Sequence, residues 1–221
     1  VHLIRAFSST SFTCPRMSLK TPQEINEMWF GPDRSKFNDP AFIKSLIGKW
    51  FSRTVPEVET TFISEKDQID RLIDETNLDE KWFTPEGYLA RIVMFDQGSR
   101  TAFRGTAKAF AFDPAATALA LDIIQNKGWF FEKYLPIERQ AILTPLLHAE
   151  DMSAQRVASE YVPRLCEGVD SPELQAIFQG VGHFFADHAK VVEQFGRFPS
   201  RNAALGRQST TEEEAWLSCP D

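Results

Sequence analysis

Residues 172–195 read PELQAIFQGVGHFFADHAKVVEQF, which is the apolar spacing of a long amphipathic helix. Leu174, Ile177 and Phe178 begin a series of apolar residues three or four positions apart. Residues at that spacing lie on one face of an α-helix, so the segment predicts a helix packed against a core. Gly196 follows at a position where glycine commonly ends a helix.

Further helix starts are marked by a recurring dipeptide, a small polar residue followed by proline. Serine, threonine and aspartate cap free backbone N–H groups at the start of a helix. Proline suits the first helical position, where its missing N–H group costs nothing. The dipeptide occurs at Thr21-Pro22, Asp39-Pro40, Thr84-Pro85, Asp113-Pro114, Thr144-Pro145 and Ser171-Pro172. Residues 21–24 and 210–213 also match the capping box.

Strand signals are nearly absent between these helix starts. The one run rich in β-branched residues, 58–63, is short. We therefore predict an all-α fold of about eight to ten helices with short connections. Residues 196–210 are rich in Gly, Pro, Asn and Arg and are expected to form an ordered loop. No fixed-period repeat is evident, so any helical repeat would have to be degenerate.

Composition limits the classes of protein that this chain can represent. The chain has 221 residues, of which 43% are hydrophobic, enough for one domain with a substantial core. Its net charge of -7 argues against non-specific nucleic-acid binding, which requires a basic surface. No run of about 18 apolar residues occurs, so no membrane-spanning helix is expected. The three cysteines form no CxxC pair, which argues against disulfides and a thiolate zinc site and indicates a reducing compartment rather than secretion.

The first 18 residues differ in composition from the rest of the chain. They are rich in serine, contain Arg5 and Arg16 and lack acidic residues, as organelle transit peptides do. The sequence RAFS at 5–8 also resembles the arginine-based cleavage motif of mitochondrial precursors. Alternatively, Met17 is the start of a cytoplasmic protein. We therefore divide the chain into a disordered leader, 1–18, and one all-helical domain, 19–221, in the mitochondrion or the cytoplasm.

Four sequence blocks resemble a known family. They are MWFG at 28–31, LARIVMFDQGSRTAFR at 89–104, PLLHAEDMSAQ at 145–155 and FGRFPSRNAALGRQSTTEEE at 195–214. With the sequence between them they cover roughly residues 25–217 and resemble the uncharacterised family called domain of unknown function 924. The resemblance implies a tetratricopeptide-like array of stacked antiparallel helix pairs. It implies no established activity.

The chain departs from the family pattern in two places. The family usually has Phe-Pro-Arg where this chain has Gly98-Ser99-Arg100. It also has Pro-His-Arg-Asn where this chain has PSRN at 199–202. The second change removes a histidine beside an arginine-rich loop, which puts in doubt any mechanism that needs an imidazole there.

Five arginines within these blocks are candidates for an anion site. They are Arg100, Arg104, Arg197, Arg201 and Arg207. Arg100 and Arg104 share a face if they are helical, and guanidinium groups match carboxylate or phosphate oxygens. The alternative is structural, because Asp96 precedes Arg100 by four residues and can pair with it, and loop arginines often bind the last carbonyls of a helix.

His148 is the centre of a second candidate set with Glu150, Asp151 and Gln155. If Thr144 caps a helix start, then His148, Asp151 and Gln155 lie along one helix face. A carboxylate next to an imidazole orients it and raises its pKa, as a general base requires. The alternative is a hydrogen-bonded polar layer that fixes how the helices pack.

His188 lies in the apolar stripe of its helix, so we expect it to be neutral or paired. It is either a core histidine with satisfied hydrogen bonds or a functional residue that faces His148 across the core. His148, His188, Glu150 and Asp151 together would suit zinc or manganese. Their spacing matches no common zinc motif, so no cofactor is predicted.

The leading hypothesis is a site for a small anion or a carboxylate- or phosphate-bearing metabolite, which the chain binds or converts. In this hypothesis the anion is bound by Arg104, Arg197 and Arg201. Acid–base chemistry falls to His148 with Asp151 and Glu150, and the substrate is oriented by Gln97 and Asn202. Asp96, Arg100, Gln155, His188 and Arg207 complete the candidate binding residues. The alternative is a tetratricopeptide-like scaffold whose groove binds an acidic peptide or protein. A third interpretation makes the polar blocks a structural network alone.

Overall fold

Helices dominate the computed structural model, which describes residues 20–51 and 56–218. The α-helices are α1 (Pro22–Phe30), α2 (Pro40–Phe51), α3 (Pro56–Ser64), α4 (Lys66–Leu72), α5 (Pro85–Ile92), α6 (Ser99–Ala102), α7 (Asp113–Asp122), α8 (Trp129–Lys133), α9 (Pro136–His148), α10 (Met152–Tyr161), α11 (Pro172–Phe195), α12 (Asn202–Leu205) and α13 (Thr211–Ser218). Short 3₁₀ helices cover Arg34–Asn38, Glu75–Asn77, Glu80–Phe83, Ala107–Phe110, Val162–Arg164 and Pro199–Arg201. Two π-helical segments, Val93–Gly98 and Ile123–Lys127, extend α5 and α7.

The all-α prediction is confirmed, since the described ranges contain no strand. The β-branched run 58–63 lies within α3. A π-helical segment joins α5 to α6, so that the described residues form twelve continuous α-helices, slightly more than the eight to ten predicted. One source of the difference is the predicted loop 196–210, which contains a 3₁₀ turn and α12. The leader predicted for 1–18 lies outside the described residues.

Most of the predicted helix starts are confirmed by capping hydrogen bonds. The Thr21 hydroxyl accepts from the Glu24 backbone N–H in a complete capping box, and Ser171 accepts from the backbone N–H of Leu174. Gly196 ends α11 with φ of 69°, a conformation that glycine adopts without strain. Local signals therefore fix both ends of the longest described helix.

The helix start predicted at Thr144-Pro145 is wrong. Pro145 lies inside α9, whose first residue is Pro136, and α10 begins only at Met152. Eleven of the thirteen residues of α9 are buried, so tertiary packing outweighs the backbone hydrogen bond that Pro145 cannot donate. Thr144 caps nothing and instead donates to the Gln140 carbonyl.

α9 is the central helix of the described structure. It packs against α5, α7, α10 and α11, and Thr144 and His148 are its two residues that are not buried. Contacts between elements that are distant in sequence also occur, because α1 packs on α5 and α11 contacts α2. A simple solenoid has contacts between neighbouring repeats alone, so a tetratricopeptide-like stacking of helix pairs stays a prediction. Within the described ranges, no helix is long and apolar enough to cross a membrane.

Two helical glycines give a matched test of packing. A Cβ atom at Gly87, in α5, would collide with the Lys81 carbonyl oxygen and the backbone of Trp82. We expect Gly87→Ala to lower the free energy of unfolding by about 1–3 kcal/mol, since backbone cannot move aside cheaply. A Cβ atom at Gly180, in α11, would have nothing within 4 Å, so Gly180→Ala should raise the same quantity by about 0.4–1 kcal/mol. Urea denaturation of both variants measures these effects, and equal effects would contradict the close approach at Gly87.

Candidate functional site

A cavity of about 260 Å³ lies between α9, α11 and the π-helical segment that follows α5. Its polar lining consists of Asp96, Gln97, Arg100, Gln140, Thr144, His148 and His188. Its apolar lining consists of Trp29, Trp50, Ile92, Val93, Ala141, Leu147, Val181, Phe184 and Phe185. A largely apolar wall with a few convergent polar groups is typical of small-molecule sites.

His148 forms the principal polar contact of this cavity with Asp96. The His148 Nδ1 atom lies 2.7 Å from Asp96 Oδ1, and Asp96 is 1% exposed. The carboxylate is charged and accepts, so Nδ1 carries the proton and donates to it. This hydrogen bond leaves Nε2 as the ring nitrogen that can accept a proton or a hydrogen bond from a ligand.

Asp96 owes its position to the π-helical segment Val93–Gly98. Such segments insert an extra residue into a helix, which redirects side chains, and they are frequent at functional sites. Gln97 donates to the Asp96 carboxylate, and Arg100 approaches it to 3.1 Å. The carboxylate is thus held from three sides, which fixes the orientation of the His148 ring.

His188 carries its ring proton on the same nitrogen as His148. Its Nδ1 atom lies 2.8 Å from the Phe184 carbonyl oxygen, which can only accept, so Nδ1 donates and Nε2 is again the acceptor. The two imidazole centroids are 6.0 Å apart, and both rings line the cavity. His188 therefore faces His148, as a functional role for His188 requires, and its Nδ1 hydrogen bond also fits the core histidine; the functional role stays a prediction.

Burial and charge set the protonation states of these groups. Burial lowers the pKa of His148 below its ordinary value, and the opposing attraction of Asp96 does not reverse this. Burial, assisted by His148, also lowers the pKa of His188. Burial alone would raise the pKa of Asp96, but Arg100 and His148 hold it far below its ordinary value. Near pH 7 the cavity therefore contains two neutral imidazoles and one carboxylate, next to the Arg100 guanidinium.

A buried ionic network supports the Asp96–His148 pair. Arg100 makes two hydrogen bonds of 2.8 Å to the Asp113 carboxylate, and Arg201 reaches the same carboxylate at 3.0 Å. Arg201 also donates to the His148 carbonyl oxygen at 2.7 Å and lies over the Phe198 ring. Through these contacts the chain segment after α11 holds the end of α9 in place.

Comparison with known proteins adds the family to this description. Residues 25–221 match the model of the family described as bacterial protein of unknown function, DUF924. The chain belongs to this family. A solved structure of a protein of unknown function from Agrobacterium tumefaciens is 27% identical to it, with a TM-score of 0.54 over 89% of this chain and 96% of that one. The comparison with curated proteins gives no match.

The five predicted arginines of this DUF924 protein do not gather around one cavity. Within the described residues, Arg100 alone among them lines the cavity of His148. The other pairs are Arg201 with Asp113, Arg197 with Glu213 at 2.6 Å, Arg207 with Glu150 at 2.7 Å and Arg104 with Glu59 at 3.5 Å. Each guanidinium therefore has a carboxylate partner, and Glu213 lies in the same sequence block as its partner Arg197.

The remaining candidates do not line the cavity and make other contacts. Asp151, the residue predicted to orient His148, instead accepts from the Ser153 backbone N–H and caps α10. That prediction is wrong because His148 ends α9 and Asp151 starts the next helix. Glu150 accepts from the Phe198 backbone N–H at 2.7 Å and binds Arg207, so it is not a free acid or base.

Gln155 and Asn202 are also engaged away from the cavity. The Gln155 amide donates to the carbonyl oxygens of Leu147 and Ala149, at the turn between α9 and α10. Asn202 donates to Glu213 and thereby joins α12 to α13. Both side chains bridge helix ends, which is the structural role that the sequence left open for the polar blocks.

The metal set considered from the sequence does not assemble. His148 and His188 are neighbours, but Glu150 and Asp151 are held elsewhere. No group of three or more His, Cys, Asp or Glu residues placed to hold a metal occurs in the described part of the chain.

Gln140 lines the cavity and was not identified by the sequence analysis. No local sequence pattern distinguishes Gln140 from the other polar residues that precede Thr144-Pro145, where a helix start was wrongly predicted. Trp29 and Trp50 stack with their ring centroids 5.1 Å apart, are partly buried and line the cavity. They also line a wider groove of about 940 Å³, which shares Gln97 and Arg100 with the cavity.

Proposed function

We propose that the cavity binds a small metabolite and that the Asp96–His148 pair performs general acid–base chemistry on it. The observation that carries the proposal is the 2.7 Å contact between His148 Nδ1 and the buried Asp96 carboxylate. Both side chains line the cavity of about 260 Å³. That volume lies just below the range of about 300–1,000 Å³ typical of small-molecule sites, so the ligand is small.

The chemistry follows from the protonation states. Neutral His148 takes a proton from the ligand, or from a water molecule next to it, at Nε2. The Asp96 carboxylate then stabilises the imidazolium that forms and keeps the ring in one orientation. Burial keeps the pKa of His148 below its ordinary value, so the base form is present near pH 7. A perturbed histidine in a cleft supports a catalytic role.

The predicted preference for an anion has less support than the site itself. Arg100 is the guanidinium at the cavity, and Asp96 and Asp113 already engage it. Binding a carboxylate or phosphate there would require Arg100 to share its hydrogen bonds among three anions. A ligand that carries a carboxylate or phosphate can instead place that group at the cavity mouth.

The alternative function is a tetratricopeptide-like scaffold of stacked helix pairs that binds an acidic peptide or protein. The wide groove of about 940 Å³ favours it, since Arg104 lines the groove and its side chain is 64% exposed. Glu57 and Glu59 line the same groove and oppose an acidic partner. We therefore rank this function second.

Histidine NMR tests the proposed function without a known substrate. The chain has four histidines, so their ring signals are readily assigned. In a screen of small polar and apolar fragments we expect binders that shift the His148 and His188 signals while His183, which is exposed, stays unchanged. His148→Asn should weaken these binders by about ten-fold, the loss that one hydrogen bond to a ligand represents. If no fragment moves either cavity histidine, the proposal is wrong, and binding of a labelled acidic peptide that Arg104→Ala weakens would favour the scaffold.

A further inference from the structure

We infer that the cavity of His148 and the wide groove form one binding site in two parts, and that its ligand is an amphiphile with a linear hydrocarbon chain. The polar, reacting end of the ligand lies at His148, and the chain extends past Trp29 and Trp50 into the groove. This inference rests on the proposed function, since it names the class of ligand for the same site. The geometry that carries it is a pair of walls that the cavity and the groove share.

The first shared wall is the helix that runs from the π-helical segment into α6. Val93 lines the cavity, Gln97 lines both spaces and Thr101 lines the groove. These residues are four positions apart, so they form one row along a helical stretch that is continuous from Val93 to Ala102. The row is about 12 Å long at about 1.5 Å per residue. A chain whose polar end lies in the cavity can therefore follow this helix into the groove.

Trp29 and Trp50 form the second shared wall. Both line the cavity and the groove, and their rings stack with planes 10° apart. Trp50 Nε1 donates to the Trp29 carbonyl oxygen at 3.3 Å, which fixes the pair. Aromatic side chains supply a large apolar contact area. The two rings therefore offer an apolar surface to a chain at the point where the cavity meets the groove.

Apolar side chains continue along the groove beyond the tryptophans. They are Met28, Phe30, Phe42, Leu46, Val58 and Phe62. Arg100 is already engaged by carboxylates, and the other charged residues of the groove, Lys49, Arg104, Glu57 and Glu59, are two of each sign. The groove therefore favours no net charge on its occupant. Burial of CH₂ groups on such a surface is favourable in proportion to the apolar area removed from water.

A hydrocarbon chain fits this path better than a peptide does. An extended peptide binds by adding a strand to a sheet edge, and the described ranges contain no strand. A helical peptide is about 10 Å across, which is too wide to reach into a cavity of about 260 Å³. A single chain without backbone polar groups can occupy both parts of the site at once.

Binding of a series of primary alcohols to the full chain tests this inference. The probes are 1-butanol, 1-hexanol, 1-octanol and 1-decanol, and the NMR signals of His148 and His188 report whether the polar end lies in the cavity. Complete burial of one CH₂ group strengthens binding by about four-fold. Burial in a groove is incomplete, so we expect at least about two-fold for each added CH₂ group, up to and including 1-decanol.

Thr101→Glu separates the groove from the cavity, because Thr101 lines the groove but not the cavity. A hydrocarbon chain beside the new carboxylate would strip it of water, so 1-decanol should bind at least about ten-fold more weakly, whereas the binding of 1-butanol should change by less than about two-fold. Thr60→Glu is the matched control, since Thr60 is exposed and lines neither space, and it should change neither affinity. Ser45→Glu, at an exposed position of the groove wall, repeats the test should Thr101→Glu fail to fold.

Each outcome has a distinct meaning. Affinity that rises through 1-decanol, with the gain lost in the groove variants, is the expected result. Affinity that stops rising at 1-hexanol, or groove variants that bind 1-decanol as the wild type does, overturns this inference and leaves the proposed function standing. Binding of 1-decanol that leaves the His148 and His188 signals unmoved also overturns it, because the groove then acts alone. Absence of binding by this series and by every fragment of the broader screen overturns both.

Discussion

Asp96→Ala is expected to lower the free energy of unfolding by about 3–5 kcal/mol, the usual cost of removing one partner from a buried ion pair. Asp96 is 1% exposed and accepts hydrogen bonds from Gln97 and His148 while it pairs with Arg100. Its removal leaves Asp113 as the remaining carboxylate partner of the partly buried Arg100 guanidinium and leaves His148 without a partner at Nδ1. Urea denaturation at pH 7 measures the loss.

Asp70→Ala is the matched control for that variant. Asp70 pairs with Lys108 at 2.7 Å, but both side chains are more than 40% exposed. Water screens such a pair, so its loss should cost about 0–1 kcal/mol. If Asp96→Ala is no more destabilising than Asp70→Ala, the buried network does not hold the Asp96–His148 pair in place.

Arg201→Ala is expected to lower the free energy of unfolding by a similar amount, about 3–5 kcal/mol. Arg201 is 9% exposed, donates to Asp113 and to the His148 carbonyl oxygen, and lies over the ring of Phe198. The substitution leaves a buried carbonyl oxygen and part of a buried carboxylate without donors. Arg201→Lys should not restore stability, because an ammonium group cannot reproduce two directed contacts and a flat face over an aromatic ring.

Arg104→Ala provides the control for Arg201. Arg104 has a side chain that is 64% exposed and lies 3.5 Å from Glu59, so its loss should cost about 0–1 kcal/mol. From sequence alone, both arginines have the same predicted anion-binding role. If Arg104→Ala and Arg201→Ala lower the free energy of unfolding by comparable amounts, the greater burial of Arg201 does not matter for stability. That result would contradict the structural role assigned to Arg201.

The sequence predicted the elements whose signals are local. Ser171 and Gly196 bound α11 as expected, because a capping side chain and a residue at positive φ act within one turn. Pro145 misled the prediction because the burial of α9 is a tertiary effect that the local pattern does not contain. Helix propensity is readily overridden by such packing.

The candidate site could be predicted only in part for the same reason. The candidates His148, His188, Asp96, Gln97 and Arg100 do line one cavity. The partner of His148 was misassigned because Asp96 is 52 residues away along the chain, whereas Asp151 is close in sequence. The arginines resemble ligand-binding groups in the sequence because their carboxylate partners, such as Glu213 for Arg197, become neighbours only in the folded chain.

A crystal structure with a bound fragment is the decisive test of whether the cavity of His148 is a binding site. We would soak or co-crystallise the tightest fragment from the histidine screen and locate it. We expect the fragment within the cavity of about 260 Å³, with a polar atom about 2.7–3.2 Å from His148 Nε2. A fragment bound in the wide groove or elsewhere, with the cavity of His148 unfilled, would show that the cavity is not the binding site.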